Sequence, residues 1–427
     1  MALPCSSCRA DRRTGRRQRT RTLAITLSLV AAFRLHFALT VVKVAFLFTF
    51  GASLPAVAQS PKATPNFAEV VAKANAARDA DRIDEAARLY RQAVTIRPAW
   101  AEGWWSLGTL NYDRSDYKNA ATAFERLVAL QPKSGTARVM LGLCQFELGQ
   151  DDAALESLNE GQRLGVTSEP QLRPVVMYQQ GILLQRKGRF EAAEEVLGQL
   201  CRQTPYPPDV ALAVGAILLR VRDRQLPAAG TVENTVIQQA GNATCLGIQR
   251  KYEEGGHAFE ALIAAHPKYP NLHIAYGKLL LDANDTDGAV KQFQAEIQNN
   301  PNDANARLRI ASAKYRIDSP GGLPYAEEAV KLEPDLPLGH YLLGLLLLDT
   351  DDFVRATPEL EIAQKAFPDQ PKVYFALASA YSRAGRLQDA AAARKTAAQM
   401  TQLQTAREQA GVPGRSEILD AAVPPKP

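Results

Sequence analysis

A pattern of apolar, small and proline residues recurs in this chain every 34 residues, and this period constrains the fold more than any other feature. The repeating positions of the copy at 101–134 are Trp104, Leu107, Gly108, Ala120, Phe124 and Pro132. Four copies fill residues 67–207 and four more fill residues 270–404, some shortened and one set after a short spacer. Self-similarity at such a period is typical of repeat architectures.

The residue types indicate that each copy forms two antiparallel helices. Small residues such as Gly108 and Ala120 let two helices approach closely, while Phe124 fills the space between them. Proline at the end of a copy stops the second helix because it cannot donate the next backbone hydrogen bond. One such unit cannot bury its apolar face alone, so the units are expected to stack.

These positions match the pattern W-x2-L-G-x2-Y…A-x3-F…P, and the chain therefore resembles the tetratricopeptide repeat family. Within 101–134 only Asn111 departs from it, standing where the family has Tyr, and Tyr112 follows directly. The resemblance implies an all-α fold, a right-handed superhelical solenoid of helix-turn-helix repeats.

Residues 208–269 follow the pattern poorly. Pro227 and Gly230 interrupt the first half, and the second half lacks a clear first helix. We expect two degenerate helical pairs here that keep the stack continuous; a break between two sub-arrays, 67–207 and 270–404, is the alternative. Residues 59–66 are expected to be a linker, and 405–427 a terminal helix followed by a disordered Pro-rich tail.

The first 58 residues differ in charge from the rest of the chain. They contain nine Lys and Arg residues and one acidic residue, Asp11, so the whole-chain formal charge of +5 leaves −3 for the body. A nucleic-acid-binding surface on the body is therefore not expected.

An arginine-rich run at 9–21, an apolar stretch at 37–54 and the small residues Ala56 and Ala58 follow in secretory order, which favours a signal peptide cleaved after Ala58. Left uncut, residues 37–57 are long enough to anchor the chain as one transmembrane helix. In a third interpretation, translation begins near Val41 and leaves a shorter signal peptide. In all three interpretations residues 59–427 are exported to the periplasm or cell envelope, either as a soluble protein or anchored to the membrane.

Cysteine and histidine usage predicts neither a metal site nor a cofactor. Five cysteines are too few for a disulfide scaffold in 427 residues. Cys144, Cys201 and Cys245 are expected to be small buried apolar residues. Cys5 and Cys8 have redox or zinc spacing, but no second Cys/His pair follows.

No catalytic motif is present, so the sequence predicts a protein that is not an enzyme. Gly255-Gly256-His257 is expected to be a turn between helices, and Asp349, Asp351 and Asp352 a solvated turn. An enzyme using His257 or Glu254 is a remaining alternative.

The family resemblance implies that the first helix of each pair lines a concave groove that holds peptide segments of other proteins. The candidate groove residues are Asn75, Arg78, Trp105, Tyr112, Phe146, Tyr178, Lys278, Tyr341 and Phe375. In the alternative interpretation these side chains pack against neighbouring repeats. A clamp for the tails of cytosolic chaperones is not expected, because Asn75 alone matches its Lys/Asn/Arg cluster.

The expected function is a non-enzymatic protein-protein interaction scaffold of the cell envelope, with other proteins or peptide segments as partners. The alternative is an accessory or regulatory subunit of an envelope enzyme that acts on the cell wall or on glycans and has a separate catalytic chain.

Overall fold

The computed structural model describes residues 66–166, 171–202, 204–221, 226–315 and 317–409. Within these ranges the chain forms nineteen α-helices and no strand, so the predicted all-α solenoid of helical repeats is confirmed. The predicted leader, the linker up to residue 65 and the tail from residue 410 lie outside the described residues. The chain divides into two compact units between Val176 and Met177.

Unit 1 holds three complete repeats. Its helices are α1 Phe67–Asp79, α2 Ile83–Ile96, α3 Ala101–Asp113, α4 Tyr117–Leu130, α5 Gly135–Glu147 and α6 Asp151–Leu164. Each first helix packs on the second helix of its own repeat, and α2 and α4 also pack on the first helix of the following repeat. The next helix, α7 Leu172–Arg186, crosses the division between the units.

Unit 2 continues from Met177 with the remaining helices. These are α8 Phe190–Cys201, α9 Pro208–Leu218, α10 Val232–Ile248, α11 Tyr252–Ala265, α12 Leu272–Asp282, α13 Thr286–Asn299, α14 Ala304–Lys314, α15 Ser319–Leu332, α16 Pro337–Asp349, α17 Phe353–Ala366, α18 Pro371–Arg383 and α19 Leu387–Gln409. From α12 onward, consecutive helices pack in the same alternating manner as in unit 1.

The turn inside a repeat has a recurring conformation in the described chain, and the turn between α14 and α15 departs from it, with Tyr315 at φ −55°. In eight of these turns one residue has positive φ, and glycine, aspartate, asparagine or serine usually occupies the position: Asp81, Ser115, Gly149, Gly188, Arg250, Asn284, Asp351 and Gly385. In several turns an aspartate then caps the second helix, as Asp352 does by accepting a hydrogen bond from the backbone nitrogen of Arg355. Short polar residues and glycine tolerate left-handed backbone best, which explains these residue types.

The contact between the two helices of a repeat is built from a small residue facing a large one, as the sequence predicts. A Cβ added at Gly108 would lie 2.8 Å from the Phe124 ring, and Phe124 is fully buried. Gly277 faces Phe293 and Gly344 faces Leu360 in the same way. The 34-residue spacing of glycine and aromatic residues therefore encodes the packing inside each repeat.

A hydrogen bond joins the carbonyl oxygen of the terminal proline of one repeat to the side chain six positions later, in the next repeat. Trp104 Nε1 donates to the Pro98 carbonyl oxygen at 2.8 Å, and Tyr374 Oη donates to the Pro368 carbonyl oxygen at 2.9 Å. His340 Nε2 lies 2.7 Å from the Pro334 carbonyl oxygen in the equivalent place. Chemically different side chains thus bond to the carbonyl of a proline that lies two residues beyond the end of the preceding helix.

Residues 208–269 form three helices rather than the two pairs expected. Helix α9 is followed at Arg220 by the positive φ that normally leads into a second helix, but the next helix, α10, begins only at Val232 and packs on both α9 and α11. Helices α9 and α10 pack directly on each other through glycine. A Cβ at Gly215 would overlap the Ile237 carbonyl oxygen, and one at Gly241 would overlap the Ala211 carbonyl oxygen.

A disulfide bond joins α8 to α10, the helices that come before and after α9 in the sequence. It links Cys201 and Cys245, whose Cα atoms are 5.1 Å apart, so the expectation that both are unbonded apolar residues is wrong. Cys144 is a buried free thiol, as expected. The neighbouring Gln249 Nε2 donates to the Cys201 carbonyl oxygen at 2.7 Å. The disulfide therefore lies where the regular alternation of helices is interrupted.

Candidate partner-binding surface

The first repeat uses two of the candidate groove residues internally. Asn75 and Arg78 lie on α1, and both contact the hydroxyl of Tyr90 on α2. Tyr90 donates to Asn75 Oδ1, while Arg78 Nη1 donates to the Tyr90 oxygen at 3.1 Å. Burial raises the pKa of Tyr90, and the positive charge of Arg78 opposes that rise. These contacts hold α1 against α2.

The candidate residues on α3 and α5 differ in accessibility. Trp105 is partly buried, with its ring 5.8 Å from Phe124 in an edge-to-face contact. Tyr112 packs edge-to-face on Tyr117 at 5.4 Å, and burial raises its pKa well above the usual value. Phe146 is buried. Of these residues, Trp105 and Tyr112 retain some exposure to solvent, and Tyr112 retains little.

In unit 2 most candidate residues are covered. Tyr178 on α7 and Tyr341 on α16 are buried. Lys278 on α12 forms an ion pair with Glu194 on α8, 84 residues earlier in the sequence. Phe375 on α18 differs from them because half of its surface, 50%, is exposed.

Trp105, Tyr178, Tyr341 and Phe375 occupy the same position of their repeats, the fifth residue of the 34. In Trp105 and Phe375 the aromatic side chain remains accessible, and in Tyr178 and Tyr341 it is buried. The sequence pattern predicts that the four are equivalent. The repeat pattern does not distinguish the buried from the accessible members, and Tyr341 is buried among residues of its own and the neighbouring repeats.

The surface around Phe375 contains both apolar and polar side chains. Lys372 and Ser379 are exposed on the same face of α18, at helical spacing from Phe375. Burial lowers the pKa of the Lys372 ammonium group. Helix α16 lies beside α18 and contributes the partly buried Leu338 and Leu348 to the core below. This face therefore offers an aromatic anchor next to charged and hydroxyl groups.

The residues named for catalysis lie on helices. Gly255-Gly256-His257 is inside α11, so the prediction that it forms a turn is wrong, and Glu254 is in the first turn of that helix. Asp349, Asp351 and Asp352 do border a turn, where Ser319 donates to Asp349 and Arg383 pairs with Asp351.

Across the described ranges, no three His, Cys, Asp or Glu residues are grouped to hold a metal ion. None of the helices described is long and apolar enough to cross a membrane, and residues 37–57 lie outside them.

Comparison with known proteins gives a family match over more than half of the chain. A sequence profile described as "Tetratricopeptide repeat" matches residues 71–133, 106–165, 249–317 and 341–402. No curated protein matches the sequence closely enough to serve as a relative.

Several solved structures are similar to parts of the fold. One, described as MamA 41-end from Desulfovibrio magneticus RS-1, is 20% identical with a TM-score of 0.35, and the match covers 39% of this chain and 97% of that one. Yeast Tom70 is 13% identical with a TM-score of 0.33, covering 83% of this chain and 94% of that one. Likeness at this level says nothing about the partner of this chain.

Proposed function

Because the chain belongs to the tetratricopeptide repeat family, we propose that it is a non-enzymatic interaction scaffold that holds segments of other proteins against the first helices of its repeats. The observation that supports this is the accessibility of Trp105 and Phe375 at the equivalent position of two repeats, one in each unit. Partly exposed aromatic side chains on a rigid helix face are the usual anchors of a bound segment.

The chemistry around Phe375 indicates what it would bind. An apolar side chain of the partner would cover the ring, and its polar groups would lie near Lys372 and Ser379. Such an arrangement suits a helical or extended segment with apolar residues at one face. Tyr178 and Tyr341 are buried and would not touch the partner, and Lys278 is paired with Glu194 away from Phe375 in the sequence.

Site-specific photo-cross-linking in the native host tests the proposal. A photoreactive phenylalanine at position 375 or 105 is expected to give a discrete adduct with a partner chain. Position 354 is the matched control, because Val354 is also a large exposed apolar residue, at 73%, but lies on the second helix α17. Equal adducts at 354 and 375, or none at 375 and 105, would contradict the proposal.

We further propose that the scaffold works in the cell envelope, after export. Two independent features support this. The leader has its charged, apolar and small-residue segments in secretory order. The Cys201–Cys245 disulfide lies in the folded body, and disulfides persist in oxidising compartments such as the periplasm.

Mass spectrometry of the protein from its own host tests the location. A chain that begins at Gln59 in the soluble envelope fraction, with Cys201 and Cys245 protected from alkylation until reduction, is the expected result. An intact leader in the membrane fraction would indicate the anchored form instead. Free thiols at both cysteines in a cytosolic protein would show that the chain is not exported.

A further inference from the structure

A half-buried group of polar side chains lies inside unit 2, where four parts of the chain meet. We call it the unit 2 polar cluster. Its members come from α8, from the turn after α9, from α12 and from α14, and they are Glu191, Glu194, Arg220, Lys278, Asn305 and Arg309. Their charged side chains are 17% to 33% exposed, so solvent reaches the cluster from one side.

Two of the three cations in the cluster have close partners. Arg220 Nη2 donates to Glu191 Oε1 at 2.6 Å and lies 3.3 Å from Asn305 Oδ1. Lys278 donates to Glu194. Burial alone would raise the pKa of Glu191, but the charges of Arg220, Arg309 and Lys278 hold it below the usual value. The carboxylate of Glu191 is therefore already neutralised inside the cluster.

The third cation, Arg309, lacks such a partner. Its shortest ion-pair distance is 3.8 Å, from Nη2 to Glu191 Oε1, which is too long for a hydrogen bond. Among the described residues no protein acceptor lies within hydrogen-bond distance of its guanidinium. Burial lowers the pKa of this group, which nearby Glu191 and Glu194 oppose. Most of its N–H donors are thus left for a molecule from outside.

Asn305 adds a second unfilled donor beside Arg309. The two residues are four apart on α14 and so lie on the same face of that helix. Asn305 Nδ2 is buried and has no acceptor in the described part of the chain, while its Oδ1 faces Arg220. A buried donor without an acceptor is costly, and a ligand oxygen would satisfy it.

We propose that Arg309 and Asn305 bind an oxyanion, a carboxylate or a phosphate, with Lys278 and Arg220 at the border of the site. The planar guanidinium of arginine matches two oxygens of such a group at once. Positive and negative side chains nearly balance here, since Asp282 also lies within electrostatic range of Lys278 and Glu194. Selectivity would therefore come from the unfilled donors, not from a positive field.

This inference rests on the proposed scaffold function in one respect, since an acidic side chain or phosphate of a bound partner would supply the oxyanion. A free inorganic anion is the other source of the same chemistry. The site is built from different residues than the aromatic anchors Trp105 and Phe375, so the two proposals can fail separately.

Binding is measured on the full exported chain with two probes. Inorganic phosphate is titrated against chloride at equal ionic strength, with the thermal midpoint as the readout. A fluorescently labelled glutamate-rich peptide is titrated by anisotropy. Arg309→Gln is expected to weaken binding at least tenfold. Arg309→Lys keeps the positive charge but loses the planar guanidinium group, so its affinity for the probe is expected to lie between those of Arg309→Gln and the unmodified protein.

Arg355→Gln is the matched control, because Arg355 is an exposed arginine of unit 2 that pairs with Glu327, and it is expected to bind as the unmodified protein does. Asn305→Asp is nearly isosteric and is expected to weaken binding because its carboxylate repels the anion. It is the second test variant if circular dichroism shows that Arg309→Gln does not fold. Binding of phosphate alone assigns the site to a free anion, and binding of the peptide assigns it to a partner. If neither probe binds, or if the Arg309 and Asn305 variants bind as Arg355→Gln does, the inference is overturned.

Discussion

Removing the Cys201–Cys245 disulfide should destabilise unit 2 and leave unit 1 unaffected. The bond closes a loop with a sequence separation of 44 residues. Chain entropy for a loop of that size gives a stabilisation of about 4 kcal/mol. The loop contains α9, which packs on both α8 and α10, the two helices that the disulfide joins, so the bond and this packing act within the same part of unit 2.

The chain offers separate optical probes for the two units. All three tryptophans, Trp100, Trp104 and Trp105, lie in unit 1, so tryptophan fluorescence reports on that unit alone. Far-UV circular dichroism reports on both units, and most helices belong to unit 2. In urea, with an m-value of about 3 kcal/mol/M, loss of 4 kcal/mol lowers a transition midpoint by roughly 1 M.

On reduction with dithiothreitol, the circular dichroism transition should therefore move to lower urea while the fluorescence transition stays in place. The double variant Cys201→Ala/Cys245→Ala is the control and should show the lowered transition with or without reductant. Unchanged curves under reduction would mean that the disulfide contributes no stability. Equal shifts of both signals would refute the view that the constraint acts within unit 2.

Three further outcomes are expected. Gly241→Ala should destabilise unit 2 by about 1–3 kcal/mol in urea unfolding, because the added Cβ would overlap the Ala211 carbonyl oxygen. Gly256→Ala is the control and should be neutral or slightly stabilising, because a Cβ added there would lie 3.7 Å from the nearest atom, the Tyr276 hydroxyl oxygen. Tyr374→Phe should cost about 1 kcal/mol by losing the hydrogen bond to the Pro368 carbonyl, and no loss would show that bond to be unimportant. The pKa of Glu191 is lowered below its ordinary 4.5, so the ionised carboxylate stabilises the fold above pH 4.5, and this stabilisation is lost as the pH falls through the lowered pKa. The variant Glu191→Gln should therefore have a smaller free energy of unfolding than the unmodified protein at pH 7, and the difference between the two should shrink in acid.

Much of the fold follows from residues that are close in sequence. The pairing of Gly108 with Phe124, the terminal prolines and the short polar residues of the turns all act within one period of 34 residues. Each such contact recurs in the same register, so the sequence reveals it several times. The all-α repeat architecture and the buried character of Cys144 were predictable for this reason.

The irregular region and most of the candidate site were not predictable in this way. The Cys201–Cys245 bond, the direct contact of Gly215 with α10 and the ion pair of Lys278 with Glu194 each occur once, between residues outside a common period. Tyr341 and Phe375 look equivalent in the sequence, yet one is buried and the other half exposed.

The sequence by itself therefore determined the repeat unit, its helices and the face on which a partner would be sought. Only the tertiary structure decided which residues on that face are accessible and which donors of α14 remain unfilled. The physical reason is that the packing inside a repeat recurs with the period, whereas accessibility depends on the particular side chains packed around each position, and these differ from repeat to repeat.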